Sequence, residues 1–194
     1  MAKRESSFIN MVVTLVLVTG IAAAVLGFVY DFTKGPIEAA KAKAQTEAIK
    51  EVLPEFDELG ESKIVAPSEG ADSLEIFPAY KDGELVGTAI KTYTKNGFSG
   101  LISIMAGFDK DGNMSGYSIL EHKETPGLGS KMDAWFNNVD KPNQNVLGRN
   151  PESTNFTVSK DGGDIDAITA STITSRAFLE ALNLAYDSYK NNKK

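Results

Sequence analysis

From Phe8 to Tyr30 the chain reads FINMVVTLVLVTGIAAAVLGFVY, with no charged residue anywhere in the run. Wound as a helix, the run is roughly 35 Å long, enough to cross a hydrocarbon layer of about 30 Å. A cleaved signal peptide is the competing reading, since Lys3 and Arg4 precede the run and small residues lie within it. The apolar region of a signal is usually about 7–15 residues, shorter than this one. The expectation is therefore a retained transmembrane helix at 8–30 behind a cytoplasmic tail at 1–7. Gly20, Ala23, Ala24 and Gly27 recur at spacings of three and four, a smooth stripe against which a neighbouring membrane helix can pack. The local charge does not fix the orientation. Lys34, Lys41, Lys43 and Lys50 follow the span, and large domains can cross whatever their charge.

Composition narrows the chemistry. The 194 residues include no cysteine and a single histidine, His122. Thiol nucleophiles, disulfides and cysteine-held clusters within the chain are excluded, and an all-protein zinc site or a Ser-His-Asp triad is disfavoured. A net charge of −6 argues against a nucleic-acid partner. Demanding chemistry in such a chain needs a cofactor.

Beyond the span, TKGPIEAAKAKAQTEAIKEVLPEF is expected to start a helix near Pro36 and stop it before Pro54. Ile37, Ala40, Ala44 and Val52 give it a thin apolar face, so 31–58 reads as a stalk or first helix. SLEIFPAY, ELVGTAIKTY, GLISIMAGFD and MSGYSILE read as strands, the last two joined as a hairpin through Asp109–Asn113. SKMDAWFNNV is expected to be a short helix and NFTVSK a further strand. Apolar positions Ile173, Ala177, Leu182, Ala185 and Tyr189 mark a terminal helix packed on the sheet. The reading is an α+β domain, antiparallel-rich, at 59–190, with a polar tail at 191–194.

Two stretches exceed what folding needs. HKETPGLG, His122–Gly129, follows the hairpin with a stiffening Pro126 and two permissive glycines, Gly127 and Gly129. A turn explains it adequately; a flat ring lying against exposed backbone N–H groups explains it too. In DAITASTITSRAF, Asp166–Phe178, the hydroxyls of Thr169, Ser171, Thr172, Thr174 and Ser175 crowd the start of the terminal helix. One hydroxyl suffices for a cap. A helix N-terminus also favours phosphate, and Asp166, Thr169 and Thr172, three residues apart, are placed to face one small volume.

ETPGLG at Glu124–Gly129 and DAITASTITSRA at Asp166–Ala177, behind a single anchor and a TKGPI helix, resemble RnfG, the FMN-binding G subunit of the Rnf complex. A related pattern belongs to the C subunit of the sodium-pumping NADH:quinone reductase. The family motif is D-x-x-[S/T]-G-A-T, its last threonine carrying FMN as a phosphoester. Here it falls on Asp166, Thr169, Ala170, Ser171 and Thr172, with Ala170 in place of Gly and Ser171 in place of Ala. The resemblance implies attachment at Thr172 by a flavin transferase that uses FAD and magnesium and reads Asp166. Ser171 is a second hydroxyl beside it, and Thr174 is expected to help hold the phosphate. The same resemblance places Glu124, Thr125, Gly127, Leu128 and Gly129 around the ring.

What this implies is an electron-transfer protein working among the other membrane subunits of the Rnf complex. That complex couples ferredoxin:NAD oxidoreduction to Na⁺ or H⁺ movement, and the domain would lie outside the cytoplasmic membrane. No independent activity is expected of the chain. The corresponding quinone-reductase component and a cofactor-free anchored scaffold are the alternatives. A hydrolase pairing a serine with His122 is more remote, because no serine sits in G-x-S-x-G.

Overall fold

The computed structural model describes residues 7–67 and 72–192; the expected N-terminal tail, apart from Ser7, and the last two residues of the polar tail lie outside these. The chain divides into two units, Met1–Lys43 and Ala44–Lys194. Helix α1 runs Phe8–Val52, and up to Lys43 it makes the first unit. It is long and apolar enough to cross a membrane, and its most apolar window is entirely unburied. The side chains from Phe8 to Phe32 are thus presented outward, as lipid requires. Hydroxyls on this surface are satisfied locally, for those of Thr14, Thr19 and Thr33 donate to the carbonyls of Asn10, Leu15 and Val29.

The expected helix start at Pro36 is corrected: α1 continues through that proline without a break. Proline normally excludes the residue before it from helical conformation through a clash with its Cβ, but Gly35 has none. The expected apolar face is shifted too. Ile37, Ala40 and Ala44 are exposed, and burial begins only at Ala48, Ile49 and Val52, in the second unit.

The second unit is α+β. Its sheet is antiparallel, with strands β1 (Glu58–Leu59), β2 (Lys63–Val65), β3 (Leu74–Lys81), β4 (Glu84–Gly97), β5 (Gly100–Asp109) and β6 (Met114–Glu121). The order is β1-β3-β4-β5-β6, and β2 shares β3 with β1. All four expected strands are present, and β5 and β6 form the expected hairpin. The NFTVSK strand is not formed. Only a single bridge joins Val158 to Ile165, and Ser159–Asp161 wind into a 3₁₀ turn. The segment bends back because the N–H groups of Gly162 and Gly163 turn onto the carbonyls of Ser159 and Val158. The remaining helices are α2 (Met132–Trp135), entered through a 3₁₀ turn, and α3 (Thr172–Asn192), which takes in the start of the supposed tail.

Both faces of the sheet are covered over part of its width, which explains its burial pattern. Beta-strand side chains alternate between faces, yet 104–108 of β5 and 87–90 of β4 are buried without interruption. On one face lie Ala48, Ile49, Val52 and Leu53 against Phe77, Ala79, Ala89 and Met105. On the other, Phe136, just past α2, and Phe178, Leu182 and Tyr186 of α3 pack onto Ile90, Ile104 and Phe108. Phe136 and Phe178 stack at 4.3 Å, and Tyr117 meets Phe178 edge-on at 5.0 Å. The Tyr117 hydroxyl donates to the carbonyl of Met132, and its burial pushes the phenol far above its ordinary range, so it stays neutral.

The end of α1 reaches the sheet backbone itself. Gly107 and Gly116 face each other across β5 and β6, and the Val52 peptide lies on both. A Cβ on Gly116 would stand 2.7 Å from the Val52 Cα, and one on Gly107 would collide with the Val52 carbonyl. That carbonyl accepts the Ser115 hydroxyl at 2.6 Å. Gly107→Ala or Gly116→Ala should therefore lower the unfolding free energy of the second unit by about 2–3 kcal/mol, the cost of overpacking a rigid contact. Thermal melts of the full chain in detergent would show it as a lowered Tm, whereas Gly20→Ala, with open space around it, should leave that transition where it is.

Candidate functional site

The terminal helix begins with a sharp reversal. Ser171 N–H donates to the Ile168 carbonyl at 2.9 Å, and Ala170 between them adopts φ of 62°. This is the left-handed region that L-residues other than glycine enter at a cost. Ser175 pins the turn, its hydroxyl donating to the Ser171 carbonyl and accepting the Ile168 N–H, both at 2.9 Å. The first intrahelical bond runs from Ser175 N–H to the Ser171 carbonyl. The N–H groups of Thr172, Ile173 and Thr174 have no acceptor among the described residues. They are the orphan donors every helix starts with, left without a side-chain cap.

The crowded hydroxyls now separate into roles. Ser175 closes the turn. Thr174, buried, donates to Glu124 Oε2 at 2.6 Å. Thr169, Ser171 and Thr172 hold no hydrogen bond through their hydroxyls among the described residues. Of these Thr169 is exposed, Ser171 is buried, and Thr172 is half-buried at the helix start. Ordinary capping therefore does not account for Thr172.

A cavity of about 330 Å³ opens at this helix end, walled by Thr172, Thr174 and Ala170 on one side and Glu124, Thr125, Leu128 and Gly129 on the other. Three large apolar side chains stand exposed around it: Phe98 at 67 %, Ile173 at 49 % and Leu128 at 41 %. An exposed apolar rim over a few polar groups is the usual construction of a ligand pocket. The chemistry of the walls suits one kind of ligand: an apolar plate at the rim and an anion at the three free N–H groups.

The ETPGLG loop is built to approach closely. Leu128 and Ser130 both donate their N–H to the Thr125 carbonyl, Gly127 N–H donates to Ser130 Oγ, and Gly127 has φ of 75°. Glu124, 4 % exposed, accepts the Ser99 N–H through Oε1 at 2.9 Å. Its own N–H donates to His122 Nδ1 at 3.1 Å.

Of the residues singled out from sequence, the structure gathers Glu124, Thr125, Leu128, Gly129, Ala170, Ser171, Thr172 and Thr174 around the cavity. Gly127 shapes the loop without lining the cavity. Asp166 and Thr169, which their three-residue spacing from Thr172 suggested as neighbours in one volume, are not among the residues that line this cavity. The left-handed turn at Ala170 breaks the periodicity on which that expectation rests. Asp166 is instead held from behind: its N–H donates to the Asn143 carbonyl, its carbonyl accepts the Trp135 indole, and its carboxyl accepts the Ser159 hydroxyl. Arg176 makes a two-pronged bond to Asp161, which holds that carboxyl below the usual carboxylate range.

Sequence reasoning missed Phe98 and Ile173 as site residues. Phe98 had a signal, a large aromatic in a glycine-flanked turn, NGFSG, with no strand or helix to bury it. Ile173 fitted the apolar stripe of α3 and was assigned to the core for that reason.

A family model described as an FMN-binding domain matches residues 97–187, from the hairpin tip that carries Phe98 almost to the end of α3. The chain is 31 % identical to the G subunit of the ion-translocating oxidoreductase complex of Aliivibrio fischeri, over 89 % of this chain and 85 % of that one. It is 30 % identical to the G subunit of the Na⁺-translocating ferredoxin:NAD⁺ oxidoreductase complex of Acetobacterium woodii, over 93 % and 90 % of the two chains. It is likewise 30 % identical to the G subunit of the ion-translocating oxidoreductase complex of Methanosarcina acetivorans, over 92 % of each.

Ala170 offers a direct check on the turn. Relieving its left-handed strain with Ala170→Gly should stabilise the protein by about 1 kcal/mol, net of the greater freedom glycine gives the unfolded chain. The expected reading is a raised Tm of the second unit; a lowered one would mean that the turn is not left-handed in solution.

Proposed function

The chain belongs to the family of G subunits of ion-translocating oxidoreductase complexes, and from that premise we propose that it is a membrane-anchored electron-transfer protein carrying FMN as a phosphoester on Thr172. It serves a complex coupling ferredoxin:NAD oxidoreduction to Na⁺ or H⁺ movement, together with other membrane subunits. Bound FMN supplies the reversible electron acceptance that no side chain of this cysteine-free chain offers.

The observation that carries the reading is the unspent chemistry at one helix start. An unpartnered Thr172 hydroxyl lies beside three free N–H groups, at a cavity with an exposed apolar rim. Those N–H groups and the helix dipole favour the phosphate oxygens that a phosphoester leaves charged. Phe98, Leu128 and Ile173 offer their apolar faces to the ring, and the backbone of the Thr125–Gly129 loop its polar edge. Ser171 is the weaker acceptor candidate, since it is the more buried of the two. Attachment by a flavin transferase from FAD is balanced if Thr172 Oγ bonds to the flavin-side phosphorus, AMP leaves, and the hydroxyl proton passes to base. Asp166, clamped behind the turn, is a recognition element for that transferase and not a contact of the flavin.

Intact mass of the chain produced with its transferase should exceed the sequence mass by one FMN less water, with peptide mapping placing the addition on Thr172. Thr172→Val should abolish it and Ser171→Ala should keep it. Loss with Ser171→Ala and retention with Thr172→Val would move the tether. A wild-type chain without flavin would leave the scaffold reading in its place.

The second unit is proposed to lie on the extracytoplasmic side. The native chain has no cysteine, so Val139→Cys, at a position 76 % exposed, provides a single reporter. It should react with a membrane-impermeant maleimide in intact cells; reaction only after lysis would reverse the orientation.

A further inference from the structure

We propose that Glu124 is a positioning residue, its carboxyl group locking the β4–β5 hairpin tip to the first turn of α3 and so fixing Phe98 relative to the tether at Thr172. The proposal rests on the reading of this cavity as the FMN site. It assigns Glu124 a task other than touching the flavin.

The hairpin tip needs such a lock. Beta-strand β4 pairs regularly with β5 as far as Thr94 and Ile102, then the register slips before the last pair, Gly97 and Gly100. Phe98 and Ser99 thus sit beyond an interrupted ladder, where pairing alone does not hold them. Below the slip, Glu180 of α3 takes up the strand, accepting from the Thr94 hydroxyl and the Asn96 amide. Above it, the bond from the tip is Ser99 N–H to Glu124 Oε1 at 2.9 Å. The other oxygen of the same carboxyl accepts Thr174 Oγ1 at 2.6 Å. One buried side chain therefore joins three elements: the tip, the ETPGLG loop and the helix start.

Space has been cleared around each oxygen. A Cβ on Gly97 would lie 2.8 Å from Oε1, and one on Gly129 would lie 2.5 Å from Oε2 and 2.8 Å from the Thr174 hydroxyl. Neither glycine has a positive φ, so conformational freedom does not explain them: at Gly129 the carboxyl and the Thr174 hydroxyl exclude a side chain, and at Gly97 the Gly100 carbonyl across the hairpin does so together with Oε1. His122 completes the lock from outside by accepting the Glu124 N–H on Nδ1.

A positional role differs from an electrostatic one in what glutamine can replace. In Glu124→Gln the amide oxygen still accepts the Ser99 N–H, and the amide nitrogen donates to Thr174 Oγ, whose hydroxyl can accept as well as donate. Glutamine keeps both links without the charge; alanine keeps neither. The test is hydrogen exchange by mass spectrometry on the full chain in detergent, following peptides that resolve Ser99, before and after flavin loading. Glu124→Ala should speed Ser99 exchange by about tenfold or more, the loss of a hydrogen bond to a buried carboxyl. Glu124→Gln should keep wild-type protection, and Thr174→Val should raise exchange of the Ser175 N–H, the first bonded amide of α3. In the loaded protein, the flavin midpoint potential and fluorescence should shift in Glu124→Ala and return toward wild type in Glu124→Gln.

Unchanged Ser99 exchange in Glu124→Ala overturns the lock. So does a Glu124→Gln protein as disturbed as the alanine variant, which would make the charge the operative property. If Glu124→Ala fails to fold, Glu124→Gln and Thr174→Val decide by the same readouts. Exchange in the unloaded chain is independent of the cofactor. A wild-type protein that takes no flavin, with variants that still show these exchange changes, would sink the FMN reading and leave the lock standing. A flavinylated protein without them would do the reverse.

Discussion

Every α-helix begins with N–H groups that its own turns cannot satisfy, and in α3 those of Thr172, Ile173 and Thr174 find no substitute among the described residues. The surrounding structure is arranged around that deficit. Ser171, at the cap position, makes no hydrogen bond through its hydroxyl among the described residues, and Ser175 is turned back onto Ser171 and Ile168 to hold the reversal at Ala170. Thr174 is turned away to Glu124. What remains at the helix start is a set of donors, one half-buried hydroxyl and a cavity in front of them. A positively polarised end left open in this way is stabilised by an anion, and a covalently placed phosphate is the anion the proposed function supplies.

How far this was legible from sequence depended on the range of the interactions involved. The apolar span, the four main strands and the β5–β6 hairpin follow from runs, alternation and turn residues, which are local. The boundaries of the four strands were right to within a few residues. NFTVSK has the composition of a strand, but Gly162 and Gly163 fold the following chain onto it and leave one bridge. Pro36 looked like a helix start because the effect of Gly35 on the preceding-residue clash is easily overlooked. The site divides along the same line. Glu124–Gly129 and Ala170–Thr174 are motifs and could be read; Phe98 comes from a turn more than twenty residues away and meets them only through the sheet. Asp166 and Thr169 were placed with Thr172 by counting in threes, but neither lines the cavity that Thr172 lines, and Ala170 at positive φ interrupts the path from Thr169 to Thr172.

Departures from the family motif fall where they are structurally informative. Glycine is expected at position 170, and the alanine there does adopt the left-handed conformation that glycine would take without strain. The turn is thus imposed by its surroundings, Ser175 above all, and not by the residue at its centre. Ser171 in place of alanine adds a hydroxyl, but its position at the helix cap buries it and leaves Thr172 the more accessible of the two.

The depth of the cavity bears on why the proposed function includes a covalent link. A cleft of about 330 Å³ is at the small end for a ligand pocket, and much of its wall is a rim of half-exposed side chains. Burial of that kind gives a planar ring limited affinity, because only one part of the ligand is taken out of water. The proposed tether at Thr172 would remove the requirement, since the ring would then meet its cleft at a fixed high effective concentration and could not be lost to dilution. The ring can remain near the surface, where an electron partner must approach it. What a tether cannot do is fix the ring's attitude, because a phosphoester and a flexible chain leave it free to turn. Attitude has to come from the cleft walls, and those walls are rigid only if the hairpin tip and the helix start move as one piece.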